Sequence, residues 1–327
     1  MPATASTASA SPDPAALTAA AADPALLVPP RPVVVVTGPP RSGTTVMGQL
    51  LGYAEGAFVV HEPFNQDWGL YGVERKFPYL RGRSDAAATE AVLLHRYLRT
   101  GETPWRNLEG PLPPGSRSEE RQALVTDHPG GTAIVKDPFL LCALGWSWDV
   151  LSRWPAVITL RHPAAWASSM MRRKMSPRPI LRGLSVQPEI GNGVLGDILE
   201  PWLAGSVRGT IPQLALAWSA MVRMIDIQIA AGAAARVVLM EDFAADPVGI
   251  VEDLYRLLSL RAPADLGTRI RLHTEAETVV PDAAVMHELH RNSAALATAW
   301  RSIMTDSQRG RIRDICEPYA GGRYTEW

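Results

Sequence analysis

The chain has 327 residues, 46% of them hydrophobic, a mean hydropathy of −0.01 and a formal net charge of −1, the makeup of a globule with one large core or two modest ones. This balance argues against a generally basic nucleic-acid surface, and no run approaches the ~18 apolar residues that a membrane span needs. Lys76, Lys136 and Lys174 are the only lysines among 32 cationic residues, so the arginine richness reads as composition rather than function. Cys142 and Cys316 sit in apolar surroundings without a partner at metal-binding spacing, which fits a reduced cytoplasmic setting. Residues 1–30 are Ala-, Ser-, Thr- and Pro-rich, with neither the cationic start nor the apolar block of a secretory signal. They are expected to form a disordered tail ahead of a domain over 31–327.

The first predicted element is a strand at Val33–Val36, four β-branched residues of the kind that a parallel sheet buries on both faces. A tight loop follows, Gly38-Pro-Pro-Arg-Ser-Gly-Thr-Thr45, and then Val46, Met47, Leu50, Leu51 and Ala54 fall on one helical face. Strand, loop and helix in this order converge backbone N–H groups on one point, where the hydroxyls of Ser42, Thr44 and Thr45 add donors for an anion. The spacing nearly satisfies the ATP-binding pattern, but Thr44 holds the lysine position and the cation is Arg41, inside the loop. A guanidinium there offers a planar fork to two oxygens without a metal.

Phe58–Asn65 reads as a second strand carrying His61 and Glu62 at its carboxyl end, the side on which open α/β sheets bind ligands. A helix is expected over Asp85–Thr100, with Ala88, Val92, Leu93 and Leu98 partly buried, and an exposed turn near Gly110. Thr132–Lys136 makes a third strand, and Lys136-Asp-Pro-Phe139 leads into a helix over Leu140–Trp154, Pro138 suiting its first turn. Ala156–Leu160 is the fourth strand; it delivers Arg161 and His162 and is followed by a helix through Lys174 that carries Ser169. Met175–Thr210, rich in Gly and Pro and carrying Arg178 and Arg182, is expected to be a structureless connection, either a lid or a solvated loop. Beyond it come a helix over Ile211–Gly232 with a Met and Trp stripe, a fifth strand at Arg236–Met240, Glu241 and Asp242 as strand-end hydrogen-bonding groups, and a helix at Ile250–Leu260. The remainder is expected to be helical, with His287 and His290 three apart but no third ligand in sight, so no metal site is assigned.

The loop from Pro40 to Thr45 resembles the 5′-phosphosulfate loop of sulfotransferases that use 3′-phosphoadenosine 5′-phosphosulfate (PAPS). Arg161 at a strand end, with Ser169 eight positions on, resembles the same family's 3′-phosphate signature. The stretch Thr132–Met175, and the interval from Arg41 to Glu62, are similar to the tyrosylprotein sulfotransferases in particular and to related bacterial-type enzymes. The resemblance covers roughly Val33–Leu260. It implies Glu62 as catalytic base and Arg41, Ser42, Gly43, Thr44, Thr45, Arg161 and Ser169 as nucleotide contacts, Arg41 being placed also for the charge on the leaving phosphate. From the residues themselves His61 is the runner-up base, and Lys136, the only lysine at a strand end, either acts as a second catalytic cation on the bridging or equatorial oxygens or pairs with an adjacent or facing acid. The glycine-rich basic motif that many cytosolic members carry near the C-terminus is not recognisable, and Tyr324 or Trp327 is offered instead as a stacking partner for adenine.

The expected architecture is α/β: a P-loop-like three-layer fold, a mostly parallel sheet of about five strands with helices on both faces. The expected activity is metal-free transfer of a sulfuryl group from PAPS to a hydroxyl on a small molecule, a carbohydrate or a glycolipid head group. The rivals are a kinase using ATP and Mg²⁺, and a catalytically silent nucleotide-binding module.

Overall fold

The computed structural model describes residues 31–70, 73–80, 85–101, 123–149, 153–275 and 292–327. The expectations placed on residues 1–30, on the turn near Gly110 and on His287 and His290 lie outside these residues.

Five strands, β1 (Val33–Thr37), β2 (Phe58–His61), β3 (Ala133–Lys136), β4 (Ala156–Leu160) and β5 (Ala235–Leu239), form one sheet in the order β2-β3-β1-β4-β5. Every pairing is parallel, as the runs of β-branched residues predict. Alternate side chains of each strand enter different cores. Val34 and Val36 meet Met47, Leu50 and Leu51 of α1 (Thr44–Gly52), together with α9 (Pro247–Leu257) and α10 (Leu266–Thr274). Val33 and Val35 face the larger core, built on α2 (Asp85–Thr100), α4 (Pro163–Arg172) and α7 (Thr210–Ala230). The expected three layers are therefore present, and Trp218, Met221 and Met224 of the α7 stripe are core.

Several boundaries differ from expectation. The helix expected over Leu140–Trp154 is a 3₁₀ turn at Pro138–Cys142 followed by the short α3 (Leu144–Asp149), because Asp137 caps the chain at Pro138 and the first turn tightens there. The fifth strand ends one residue early, since Met240 opens α8 (Met240–Ala245), and α9 begins at Pro247, with Asp246 capping Gly249.

The larger correction concerns Met175–Thr210, which is not structureless. It folds into α5 (Arg178–Ser185), a π-helical turn at Glu189–Val194 and α6 (Gly196–Leu203). Ile180, Leu181, Leu184, Ile190, Leu195, Ile198 and Leu199 are all buried, so this segment is part of the larger core. Its few apolar residues recur at helical spacing, and that outweighs the glycines and prolines between them. After α10 the chain continues through α11 (Ser293–Thr298), α12 (Trp300–Ile303) and α13 (Asp306–Cys316), which packs on α7. Cys142 and Cys316 are buried free thiols.

Candidate active site

Strand order builds the site before any side chain does. From β1 the chain crosses to β2 and β3 on one side and to β4 and β5 on the other, which opens a crevice at the carboxyl end of β1. The register aligns Val36 with Lys136 and Lys136 with His61, so the ends of β1, β3 and β2 lie side by side.

The loop after β1 is pinned to β4. Gly38 has φ 144°, and a Cβ there would lie 2.2 Å from the Thr159 carbonyl oxygen, so the close approach requires glycine. Ser42 is fully buried; its Oγ lies 2.5 Å from the Pro39 carbonyl, 2.8 Å from that of Thr159 and 3.2 Å from Thr159 Oγ1. Its single proton is engaged inside the fold, so Ser42 acts here as a staple between strand ends. Gly43, at φ 95°, precedes α1, and no side chain caps the helix, which leaves the amides of Thr44, Thr45 and Val46 as the donors at the loop. An anion fits that position by dipole and by hydrogen bonding. Arg41 is held at φ 71°, a left-handed conformation uncommon for a residue with a Cβ.

The second predicted signature abuts the first. Trp166 of α4 donates its indole N–H to the Pro40 carbonyl at 2.6 Å, and Ser169, one turn further along the same helix face, is also buried. Arg161, on the strand end beside the loop, donates to the Leu296 carbonyl at 2.9 Å, and its own carbonyl accepts from Trp218 Nε1 at 3.0 Å.

On the other side of β1 stands a buried ion pair. Lys136 Nζ is 2.5 Å from Glu62 Oε1, and Asn65 Nδ2 donates to Glu62 Oε2 at 2.7 Å. His61 Nε2 is 3.7 Å from the same Oε1. The lysine stem passes α1 where Gly48 leaves room, since a Cβ there would be 2.8 Å from Lys136 Cγ. Burial pushes the Glu62 carboxyl up, but the charges of Lys136 and His61 and the bonds from Lys136 and Asn65 outweigh it and hold the group below its ordinary value. Glu62 itself sits at φ 47°. Asp137, fully buried, accepts from the Phe64 amide at 2.6 Å and the Phe139 amide at 2.8 Å. Burial and the Glu62 charge push its carboxyl up to about 8, against the two amides and Lys136, which favour the anion.

The residues at the C-terminal end of the chain enclose His162. Its Nδ1 accepts from the Ala164 amide at 3.2 Å and its Nε2–H donates to the Glu326 carbonyl at 2.8 Å, which makes it a neutral ring. Trp300 stacks on it at 4.5 Å, and Tyr324 and Trp327 approach at 5.1 and 5.4 Å, so both aromatic residues offered for adenine pack around this histidine. Burial, with Arg301 and Arg161 nearby, brings the His162 pKa down to about 4. Glu241 accepts from the His162 amide at 3.0 Å, the strand-end bonding expected of it.

Sequence reasoning passed over Asn65, Asp137, Thr159 and Trp166. For Asp137 a signal existed: Asp directly before Pro at a first helical position is an N-cap pattern. The other three act across 3 to 126 positions of sequence and carry no local mark. Among the described residues no group of three or more His, Cys, Asp and Glu side chains is arranged to hold a metal, and no helix is long and apolar enough to cross a membrane.

No protein-family model and no curated protein matches the chain. Among solved structures it is similar to the sulfotransferase domain of the curacin biosynthetic pathway, at 14% identity and TM-score 0.45 over 87% of this chain and 96% of that one. It is likewise similar to the sulfotransferase domain of the Synechococcus PCC 7002 olefin synthase, at 15% identity and TM-score 0.47 over 89% and 95%. A Mycobacterium avium sulfotransferase is similar at 12% identity and TM-score 0.43, over 91% of this chain and 78% of that one.

Proposed function

We propose that this chain is a sulfotransferase that moves a sulfuryl group from PAPS to a hydroxyl acceptor by in-line displacement. The observation that carries the reading is the register of β1, β3 and β2, which sets the uncapped helix start after β1 beside a buried carboxylate–ammonium pair. One half suits a phosphate and the other suits a proton acceptor. In the proposed reaction the acceptor oxygen forms a bond to sulfur while the bond from sulfur to the 5′-phosphate oxygen breaks. The acceptor proton passes to Glu62, and the electron pair leaves with the phosphate. Arg41 and the amides of Thr44, Thr45 and Val46 meet the charge that grows there; one such preorganised donor is commonly worth about 3 kcal/mol of barrier. Lys136 holds Glu62 ionised and sets an ammonium beside the acceptor oxygen. Arg161 and Ser169 take the 3′-phosphate, and the reading calls for no metal. The proposed acceptor is a hydroxyl of a small molecule, a carbohydrate or a glycolipid.

Transfer of label from PAPS across a panel of such acceptors tests the reading, alongside thermal shifts with PAPS, with its product 3′,5′-adenosine diphosphate (PAP), and with ATP with and without Mg²⁺. Stabilisation by PAP and PAPS, no Mg²⁺-dependent effect of ATP, and labelled product are expected. Stabilisation by MgATP alone would replace the reading with a kinase, and PAP binding with no transfer to any acceptor would leave a silent binding module.

A further inference from the structure

Asp137 sits where the two halves of the proposed proton-accepting apparatus join, and its carboxyl group is entirely inside the protein. One oxygen takes the Phe64 amide, two residues beyond Glu62; the other takes the Phe139 amide, three beyond Lys136. Glu62 occupies a left-handed conformation, and such a residue keeps that backbone only where its surroundings over-determine it. Three hydrogen bonds do so around this turn: the Glu62 amide to the Lys136 carbonyl at 2.8 Å, the Asn65 amide to the Glu62 carbonyl at 3.1 Å, and the Phe64 amide to Asp137. The third comes from a side chain, the first residue after β3.

We propose that Asp137 is a positioning residue for the transfer step: by accepting the Phe64 and Phe139 amides together it locks the Glu62 turn onto the end of β3, so that the Glu62 carboxylate and the Lys136 ammonium reach the acceptor oxygen as one unit. The inference rests on the sulfotransferase reading for its chemistry, but the mechanical coupling stands on hydrogen bonds alone. A carboxyl group at this place has two tasks, capping the 3₁₀ turn through Phe139 and anchoring the turn through Phe64. A serine retains the first, since a short hydroxyl at an N-cap reaches the helix amides, and it is too short for the second.

The test compares Asp137→Asn and Asp137→Ser with the full wild-type chain. Amide hydrogen exchange across residues 62–65 is read without substrate, and kcat is read separately from KM for PAPS and from the Kd for PAP. In both variants exchange at 62–65 is expected to rise at least tenfold and kcat to fall about 100-fold, the scale of a 1 Å misplacement, while KM for PAPS and Kd for PAP stay within threefold. Asp137→Ser keeps the cap and so guards against a variant that merely loses its fold. Unchanged exchange at 62–65 in a folded Asp137→Ser protein overturns the proposal, as does a kcat within threefold of wild type. A wild-type chain that transfers no label would instead sink the sulfotransferase reading, and the exchange comparison would still decide whether Asp137 holds this turn.

Discussion

Glu62 and Lys136 are both buried, and this governs how either responds to substitution. Glu62→Gln removes the proposed proton acceptor, so kcat should fall by about 10²–10⁴-fold, while PAP, whose proposed site lies on the other side of β1, should retain its affinity within a few-fold. The same change leaves a buried ammonium facing an amide, and breaking such a pair costs on the order of 3–5 kcal/mol. Glu62→Gln with Lys136→Met should therefore recover thermal stability and recover no activity; a double variant as unstable as the single one would show that the pair is not coupled. The pH dependence has a definite sign. The Glu62 carboxyl is depressed in the fold, so its stabilisation is present above its ordinary value near ~4.3 and is lost as pH falls through the folded value. His162 is depressed to about 4 from an ordinary ~6.5, so the unfolded chain takes up the proton first. Stability should fall by roughly 1.4 kcal/mol per pH unit across that interval, and His162→Gln should flatten this limb in thermal melts between those two values.

At the scale of elements, two single side chains join segments far apart in sequence. Trp166 ties α4 to the loop that carries Arg41. Trp166→Phe keeps most of the packing and loses that bond, so PAP affinity should drop about three- to tenfold, while an unchanged Kd in calorimetry would detach α4 from the proposed nucleotide site. Gln187, buried between α5 and the π-helical turn, accepts from the Tyr79 amide at 2.9 Å and donates to the Phe77 and Gly183 carbonyls at 3.0 and 2.8 Å. It thus clasps the stretch around Phe77–Tyr79 to α5 and the π-helical turn. Gln187→Leu strands several buried backbone groups, each costing about 1–3 kcal/mol, and hydrogen exchange should rise in 73–80 and 178–194 together. A rise in only one of these would mean that the clasp does not couple them. Gly- and Pro-rich composition marks Met175–Thr210 as irregular, yet the helical spacing of Ile180, Leu181 and Leu184 was already in the chain. Composition averaged over the segment concealed that period.

For the whole molecule, the sheet sets the position of the site and the C-terminal residues close it from one side. Arg323 pairs with Asp226 of α7, Glu326 with Arg301, and the Glu326 carbonyl receives His162 next to Arg161. Removing residues 323–327 takes these contacts and the half-buried Tyr324 ring together, and the thermal midpoint should fall by several degrees, with weaker PAP binding through the exposed Arg161–His162 corner. A truncated chain that melts and binds as the full chain does would make the segment incidental.

What the sequence by itself determined is local. Runs of β-branched residues specify strands that must be buried on both faces, and such strands demand a parallel sheet with helices on either side. A glycine-bounded loop between strand and helix specifies a helix start whose amides have no partner within the helix. Only the tertiary structure decided that Ser42 turns inward to Thr159, that Lys136 meets Glu62 across 74 positions, and that Tyr324 and Trp327 gather around His162. Each of these is a choice among partners of like chemistry. The choice depends on which strand ends the sheet sets side by side, and that order is a property of the packed whole, which no window of sequence contains.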